Sequence, residues 1–269
     1  MTRTPSPLRL AAILVSLVSI TACGAAARSA ASGAPRAEAA SLAILDALYA
    51  DAIRNSAVVQ PDDVQPLRPL VAGPDGTVTV TTWASCRGAG GAGSCGSYVQ
   101  GPVTLKWDVW VSADEEFAIA CGRIRGDLTV GISQLLGMPA PRQPLSPAGH
   151  ERQFVTFSAV PVETVFRPCT DPRVDTDRCS TALPPALPAN APPEFFRWFT
   201  NQAMSSWRIP PAGQAPDGFP WTRLGYTYNW TPGAASRYGV SEYVIPGSLR
   251  PVDVTVLSVR TAKDYCGVS

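Results

Sequence analysis

The residue types nearest to chemistry lie in Pro220-Trp221-Thr222-Arg223-Leu224-Gly225-Tyr226-Thr227-Tyr228-Asn229-Trp230 and, just downstream, Gly239-Val240-Ser241-Glu242-Tyr243. Four large aromatics fall within ten residues, with one arginine between them and one glutamate following. Such a set could line a pocket that stacks a flat ring or a sugar face. In that arrangement Arg223 would hold an anion, Tyr226 and Tyr228 would stack the ring, and Glu242 would stabilise positive charge at a reacting carbon. The same aromatics could equally close a hydrophobic core over a sheet, which is the commoner fate of large apolar side chains.

Other chemistries have thinner support. A Ser-His-Asp triad or a Cys-His pair would need His150, the one histidine, which lies in a Pro/Gly-flanked loop. No CxxC pair occurs, so a zinc site lacks ligands, and neither a GxxxxGK[ST] nor a strand-turn GxGxxG phosphate cradle is present. No cofactor is expected. The loop from Cys169 to Cys179 packs Asp171, Asp175 and Asp177 into seven positions, an oxygen-rich set of the kind that holds Ca²⁺. Against that, Arg173 and Arg178 neutralise its charge, the EF-hand glycine and bidentate glutamate are missing, and Asp and Pro are what any turn uses.

With Cys23 set aside, Cys86, Cys95, Cys121, Cys169, Cys179 and Cys266 remain, an even number that suits three disulfides in an oxidising compartment. Six cysteines admit 15 connectivities, so spacing gives a preference only. That preference is Cys86–Cys95 across a Gly-rich turn, Cys169–Cys179 across the Asp/Pro loop, and by elimination Cys121–Cys266, pinning the chain end onto a central helix.

The first 22 residues carry Arg3 and Arg9, an apolar run from Leu10 to Ile20, and small Thr21 and Ala22 before Cys23. Eleven apolar residues are too few to cross a hydrocarbon layer of about 30 Å, so the segment reads as a signal peptide. Ile20-Thr21-Ala22-Cys23 resembles the lipobox of bacterial lipoproteins, which implies lipidation of Cys23 and cleavage before it. Each buried methylene contributes about 0.8 kcal/mol, so two or more acyl chains anchor stably. Residues 23–40, rich in Ala, Gly, Ser and Arg, read as a flexible tether, and residues 41–269 as one ectodomain. Without the two leader arginines, 20 basic side chains face 21 acidic ones, a net charge near −1 with no like-charge block. That balance argues against nucleic acid and leaves the membrane, through the lipid, and an envelope component as partners.

The elements that must position these residues are mixed. Leu42, Leu45, Leu48, Tyr49 and Ile53 recur at helical steps within Ser41–Val58. Thr77–Trp83 reads as a strand, and alternation from Val103 to Val111 as its hairpin-like partner. Ser112-Ala113-Asp114-Glu115 has the form of a capping box opening a helix to about Ile124, and Asp127 caps a second, Leu128 to Leu136, closed by Gly137. Phe154–Val160 alternates, Pro193 suits the start of a helix from Glu194 to Met204, and Val240–Ile245 and Val252–Val259 read as strands. Interleaving without regular βαβ spacing predicts an α+β fold with a mainly antiparallel sheet and a few packed helices.

Two further resemblances bear on this domain. Ser133-Gln-Leu-Leu-Gly-Met-Pro139, Phe166-Arg-Pro-Cys-Thr-Asp-Pro172, and Pro220 to Trp230 with Ser241-Glu-Tyr243 resemble a group of exported bacterial proteins, which implies shared fold and disulfides but no activity. Arg223-Leu-Gly-Tyr226 with Gly239-Val-Ser-Glu-Tyr-Val-Ile-Pro246 is similar to elements of tuberculosis-necrotizing-toxin-type NAD glycohydrolases, where an arginine and a later polar residue handle NAD. Here the gap is much shorter and Glu242 stands where an amide is expected. The leading expectation is a lipid-anchored, non-enzymatic binding or structural module of the envelope. The alternative is an extracytoplasmic hydrolase or NAD-glycohydrolase-like enzyme using Arg223, Tyr226 and Glu242.

Overall fold

Alternating β-branched and aromatic residues in Thr77–Ser85 form strand β1, which pairs on both sides. The computed structural model describes residues 41–86, 94–141, 152–182, 186, 194–209, 211 and 217–267, and the chain divides into two compact units, Met1–Leu45 and Asp46–Ser269. Residues 1–40, where a signal peptide, a lipidated Cys23 and a tether are expected, together with residues 87–93, His150 and Pro193, lie outside the described residues. The further strands are β2 (Ser94–Cys95), β3 (Tyr98–Val99), β4 (Gly101–Leu105), β5 (Asp108–Ala113), β6 (Arg152–Pro161), β7 (Tyr226–Tyr228), β8 (Tyr238–Ser241), β9 (Tyr243–Pro246) and β10 (Val252–Arg260). The helices are α1 (41–57), α2 (Asp114–Cys121), α3 (Leu128–Leu135), α4 (Phe195–Ser206) and α5 (Ala262–Cys266).

Six strands make one sheet in the order β4-β10-β6-β1-β5-β9, with every neighbouring pair antiparallel. Two-stranded ladders β2-β3 and β7-β8 stand beside it. The α+β expectation therefore holds, but the alternation from Val103 to Val111 does not form one strand. It breaks at Lys106-Trp107 into β4, which pairs with β10, and β5, which pairs with β1. Three residue steps separate Leu105 from Asp108, at most about 11 Å. A flat sheet would set four interstrand spacings, about 19 Å, between those strands. The sheet must curl, and Leu105 from one margin accordingly shares a core with Val109 and Ile245 from the other.

The expected capping box does not form. Ser112 is buried within β5 opposite Thr81, so Ala113 takes the cap position without a side-chain bond. Glu115 instead reaches Arg68 at 2.6 Å, and the Asp114 carboxylate accepts from the Thr81 and Tyr265 hydroxyls. Sheet pairing along β5 has outcompeted the local cap, and α2 stops at Cys121, short of Ile124. At α3 the local signals prevail: Asp127 Oδ1 accepts from the Val130 amide at 2.9 Å, and Gly137 follows with φ +64°.

Three disulfides join Cys86–Cys95, Cys121–Cys266 and Cys169–Cys179, with Cα separations of 4.5, 5.3 and 6.2 Å. This is the connectivity that spacing, with elimination for Cys121–Cys266, favoured. Closing a loop spanning 145 residues contributes about 5 kcal/mol, and the shorter loops about 3 kcal/mol each, by chain entropy. Among the described residues no helix is long and apolar enough to cross a membrane.

Candidate functional site

The strand expected over Val240–Ile245 is interrupted at Glu242, where the chain leaves the small ladder for the large sheet: β8 pairs with β7, and β9 pairs with β5. The Glu242 amide donates to the Gly225 carbonyl at 2.9 Å, so neither ladder takes it up. Its side chain enters a cavity of about 500 Å³. Trp83 comes from β1, Trp110 from β5, Phe117 from α2 and Trp221 from the segment that follows α4. Along α4, Phe195, Trp198 and Phe199 pack beneath, against Phe166, Trp221 and Val244, while Gln202 and Ser205 turn toward the cavity. Arg208 and the half-exposed Phe219 stand at its outer margin.

Glu242 is only half-buried at its surface, and what it exposes faces this cavity. Burial alone pushes its carboxyl up from near 4.5 to about 8. No donor or cation among the described residues offsets the desolvation of the charged form. The other carboxylate in the lining, Asp108, is in the opposite condition. Its Oδ2 accepts from the Trp198 indole at 3.0 Å, and its Oδ1 from the Ser248 amide at 3.1 Å and the Ser248 hydroxyl. Trp83 and Trp221, also in the lining, each keep a buried indole N–H without a partner.

Tyr226 and Tyr228 border the cavity, but strand alternation separates them from Thr227, which donates to the Leu135 carbonyl at 2.8 Å. The Tyr226 hydroxyl donates to the Asp63 carbonyl at 2.8 Å, and that of Tyr228 bonds Asn55. Both hydroxyls are thereby drawn to a far smaller cleft of about 10 Å³, and burial raises the pKa of each. Arg223 is not part of the lining. It sits at φ +52°, with its guanidinium 5.7 Å from the Trp207 ring, which in turn stacks on Trp221. Thr222 fixes this turn by donating to the Tyr226 carbonyl at 2.6 Å and accepting from the Leu224 amide. Gly225 completes it at φ +77°, where a Cβ would meet Arg167 Cδ at 2.7 Å and Cys179 Sγ at 2.9 Å. The structure thus brings Glu242, Tyr226 and Tyr228 to one cavity and leaves Arg223 outside it.

The Cys169–Cys179 loop is organised around cations of its own chain. Arg173 grips the Asp171 carboxylate with contacts of 2.6 to 3.1 Å. Burial opposes ionisation of Asp171, yet the bonds and charge of Arg173 hold its carboxyl below the usual carboxylate range. Asp171, Asp175 and Asp177 do not converge, and the described residues contain no group of three or more potential metal ligands.

The expectations drawn from sequence missed Trp83, Trp110, Phe117 and Asp108 as cavity residues. One signal was present for Trp110. It falls out of phase with the buried pair Val109 and Val111, so a large aromatic had to face a second layer on the outer side of the strand. No family model, curated protein or solved structure matches the chain.

Proposed function

We propose that this protein is a lipid-anchored module of the bacterial cell envelope that binds a small, largely apolar molecule in the cavity around Glu242. The lipobox-like Ile20–Cys23 supports the anchor, and the three disulfides support folding outside the reducing cytosol. The observation that carries the reading is an unpartnered carboxyl in an aromatic-walled space of about 500 Å³, within the size range of small-molecule sites. A folded protein sustains such a group at a cost that a ligand with a matching polar atom relieves. The test is the melting temperature of the purified full chain against NAD, cell-wall glycan fragments, Ca²⁺ and small aromatic compounds. A ligand at about 100 times its Kd stabilises by about 2.7 kcal/mol, a shift of about 5–10 °C for a domain of this size. Silence across the whole panel would sink the binding reading. The anchor has its own test: Cys23→Ser should move the protein from the membrane fraction to the soluble one.

A second reading keeps a specific support. A carboxyl near 8 holds its proton at neutral pH, as a general acid must, and Asp108 supplies a second carboxylate to the same cavity. It ranks second because both Asp108 oxygens already accept protein hydrogen bonds, while Arg223, the residue invoked to hold an anion, lies against Trp207. Glu242→Gln tests it directly: turnover lost with melting undiminished would favour hydrolysis.

A further inference from the structure

We infer that the molecule held in this cavity is a protonated amine on an aromatic or alicyclic body, its ammonium group seated against the Glu242 carboxylate and its body flanked by Trp83, Trp110, Phe117 and Trp221. This assignment rests on the binding reading above and names the chemical class of its ligand.

Three features of the geometry select a cation. First, Glu242 is the carboxyl of the lining with no protein partner, whereas Asp108 already accepts three hydrogen bonds from Trp198 and Ser248. Second, the cationic side chains of the lining are occupied away from it. Arg152 donates to the Trp83 carbonyl at 3.0 Å, and Arg208 pairs with the exposed Asp217 at 3.5 Å across the outer margin. Neither contributes to the state of Glu242, which burial alone determines. Third, the walls are aromatic, and the faces of tryptophan rings attract a desolvated ammonium group.

Electrostatics then discriminates between ligands. An anion would draw only on Arg152 and Arg208, each of which already holds a protein acceptor, and would oppose ionisation of Glu242. A neutral acceptor could take the proton of an un-ionised Glu242, but an ammonium makes a charge-assisted bond, roughly twice as strong as a neutral one. Folding has already placed the carboxyl in the cavity, but it keeps its proton near neutral pH, so binding must also ionise it, a cost that falls as pH rises toward 8. Other titratable groups face the site from each neighbouring element: Asp108 and Arg208, Arg152, Tyr98, and Tyr226 with Tyr228. Beside it on α2, Glu116 accepts from the Ser241 amide at 3.1 Å. Burial raises the three tyrosines, so none of them ionises near neutral pH.

The experiment is titration calorimetry of the full chain with 1-naphthylmethylamine, 1-naphthylmethanol and 1-naphthoate from pH 6 to pH 9. Because the amine needs Glu242 ionised, its affinity should rise about tenfold per pH unit from 6 toward 8 and then level off. The alcohol should show no such rise, and the carboxylate should bind most weakly. In Glu242→Gln, checked for melting no lower than that of the native chain, the preference for amine over alcohol should vanish while alcohol affinity stays within about threefold. An amine affinity that is flat or falls with pH, or a preference that survives Glu242→Gln, overturns the amine assignment and leaves the binding cavity standing. Failure of all three compounds to bind at millimolar concentration overturns the binding reading with it.

Discussion

The loop stapled by Cys169–Cys179 and the cavity around Glu242 lie on either side of one turn, Thr222–Gly225, and each buries an ionisable side chain, but they provide for it in opposite ways. Arg167, fully buried beneath the stapled loop, donates to the carbonyls of Arg68 at 3.0 Å, Val174 at 3.2 Å and Thr176 at 2.9 Å. Its guanidinium also lies 4.6 Å from the Tyr243 ring. Glu242 has no counterpart to any of these. A buried charge with one nitrogen ringed by backbone carbonyls holds a fold together, even with its Nη1 unpartnered, whereas a half-buried acid with no partner is held in readiness for something the chain does not supply. The two regions thus separate architecture from function within a few residues of sequence.

The sharpest way to break that contrast is pH. Between about pH 4.5 and 8 the folded chain keeps the Glu242 proton that the unfolded chain releases. Its contribution to stability is therefore complete below about 4.5, declines across that interval, and is gone above about 8, for a total of about 4–5 kcal/mol. Comparing urea midpoints of the native chain with those of Glu242→Gln across pH isolates this slope. The variant should lack it and be the more stable of the two at pH 8. Equal pH profiles would mean that Glu242 is solvated or paired, and the contrast with Arg167 would collapse.

Next in size is the other member of the pair. Arg167→Met fills a similar volume but leaves the Thr176 carbonyl without its donor, while the Val174 carbonyl keeps the Leu70 amide and the Arg68 carbonyl keeps the Tyr243 hydroxyl, for an expected loss of about 3 kcal/mol, read as a lowered urea midpoint at constant slope. A loss below about 1 kcal/mol would say that water replaces the guanidinium and that the loop is not organised around it. Removing the staple by the double change Cys169→Ser and Cys179→Ser should cost slightly less, about 2–3 kcal/mol, because the loop it closes spans only 10 residues. A cost well above that would show that the disulfide and Arg167 act as one unit.

The architectural half of this contrast was legible in sequence and the functional half was largely not. Cysteine spacing favoured two of the disulfides and elimination the third, and the strands through Trp83, Phe157 and Val256 announced themselves by alternation. The Lys106-Trp107 break stayed hidden because Leu105 and Val109 are four apart, so alternation keeps its phase across the bend. Ser112 misled because a short-range capping pattern was overridden by pairing with Thr81, distant in sequence. Glu242 was among the residues singled out, yet its neighbours in the cavity come from positions 83, 110 and 117, which only the curled sheet and α2 bring to it. Arg223 was grouped with Glu242 by proximity along the chain, while the left-handed turn at residues 223 and 225 carries it to Trp207.

The smallest expected effect on stability is at Phe219, and it separates the two roles most cleanly. Its ring lines the cavity but is 47% exposed, so truncation removes little buried surface. Phe219→Ala should change stability by no more than about 0.5 kcal/mol, as surface substitutions usually do. The same ring is placed to cover an aromatic ligand, and one such contact contributes about 0.5–1.5 kcal/mol, so naphthylmethylamine affinity should fall about three- to tenfold. Melting and calorimetry on one preparation read both quantities. If melting drops by several degrees while binding holds, Phe219 belongs to the wall, as Arg167 belongs to the loop. If binding falls and melting holds, it belongs with Glu242, on the side of the molecule that structure alone does not need.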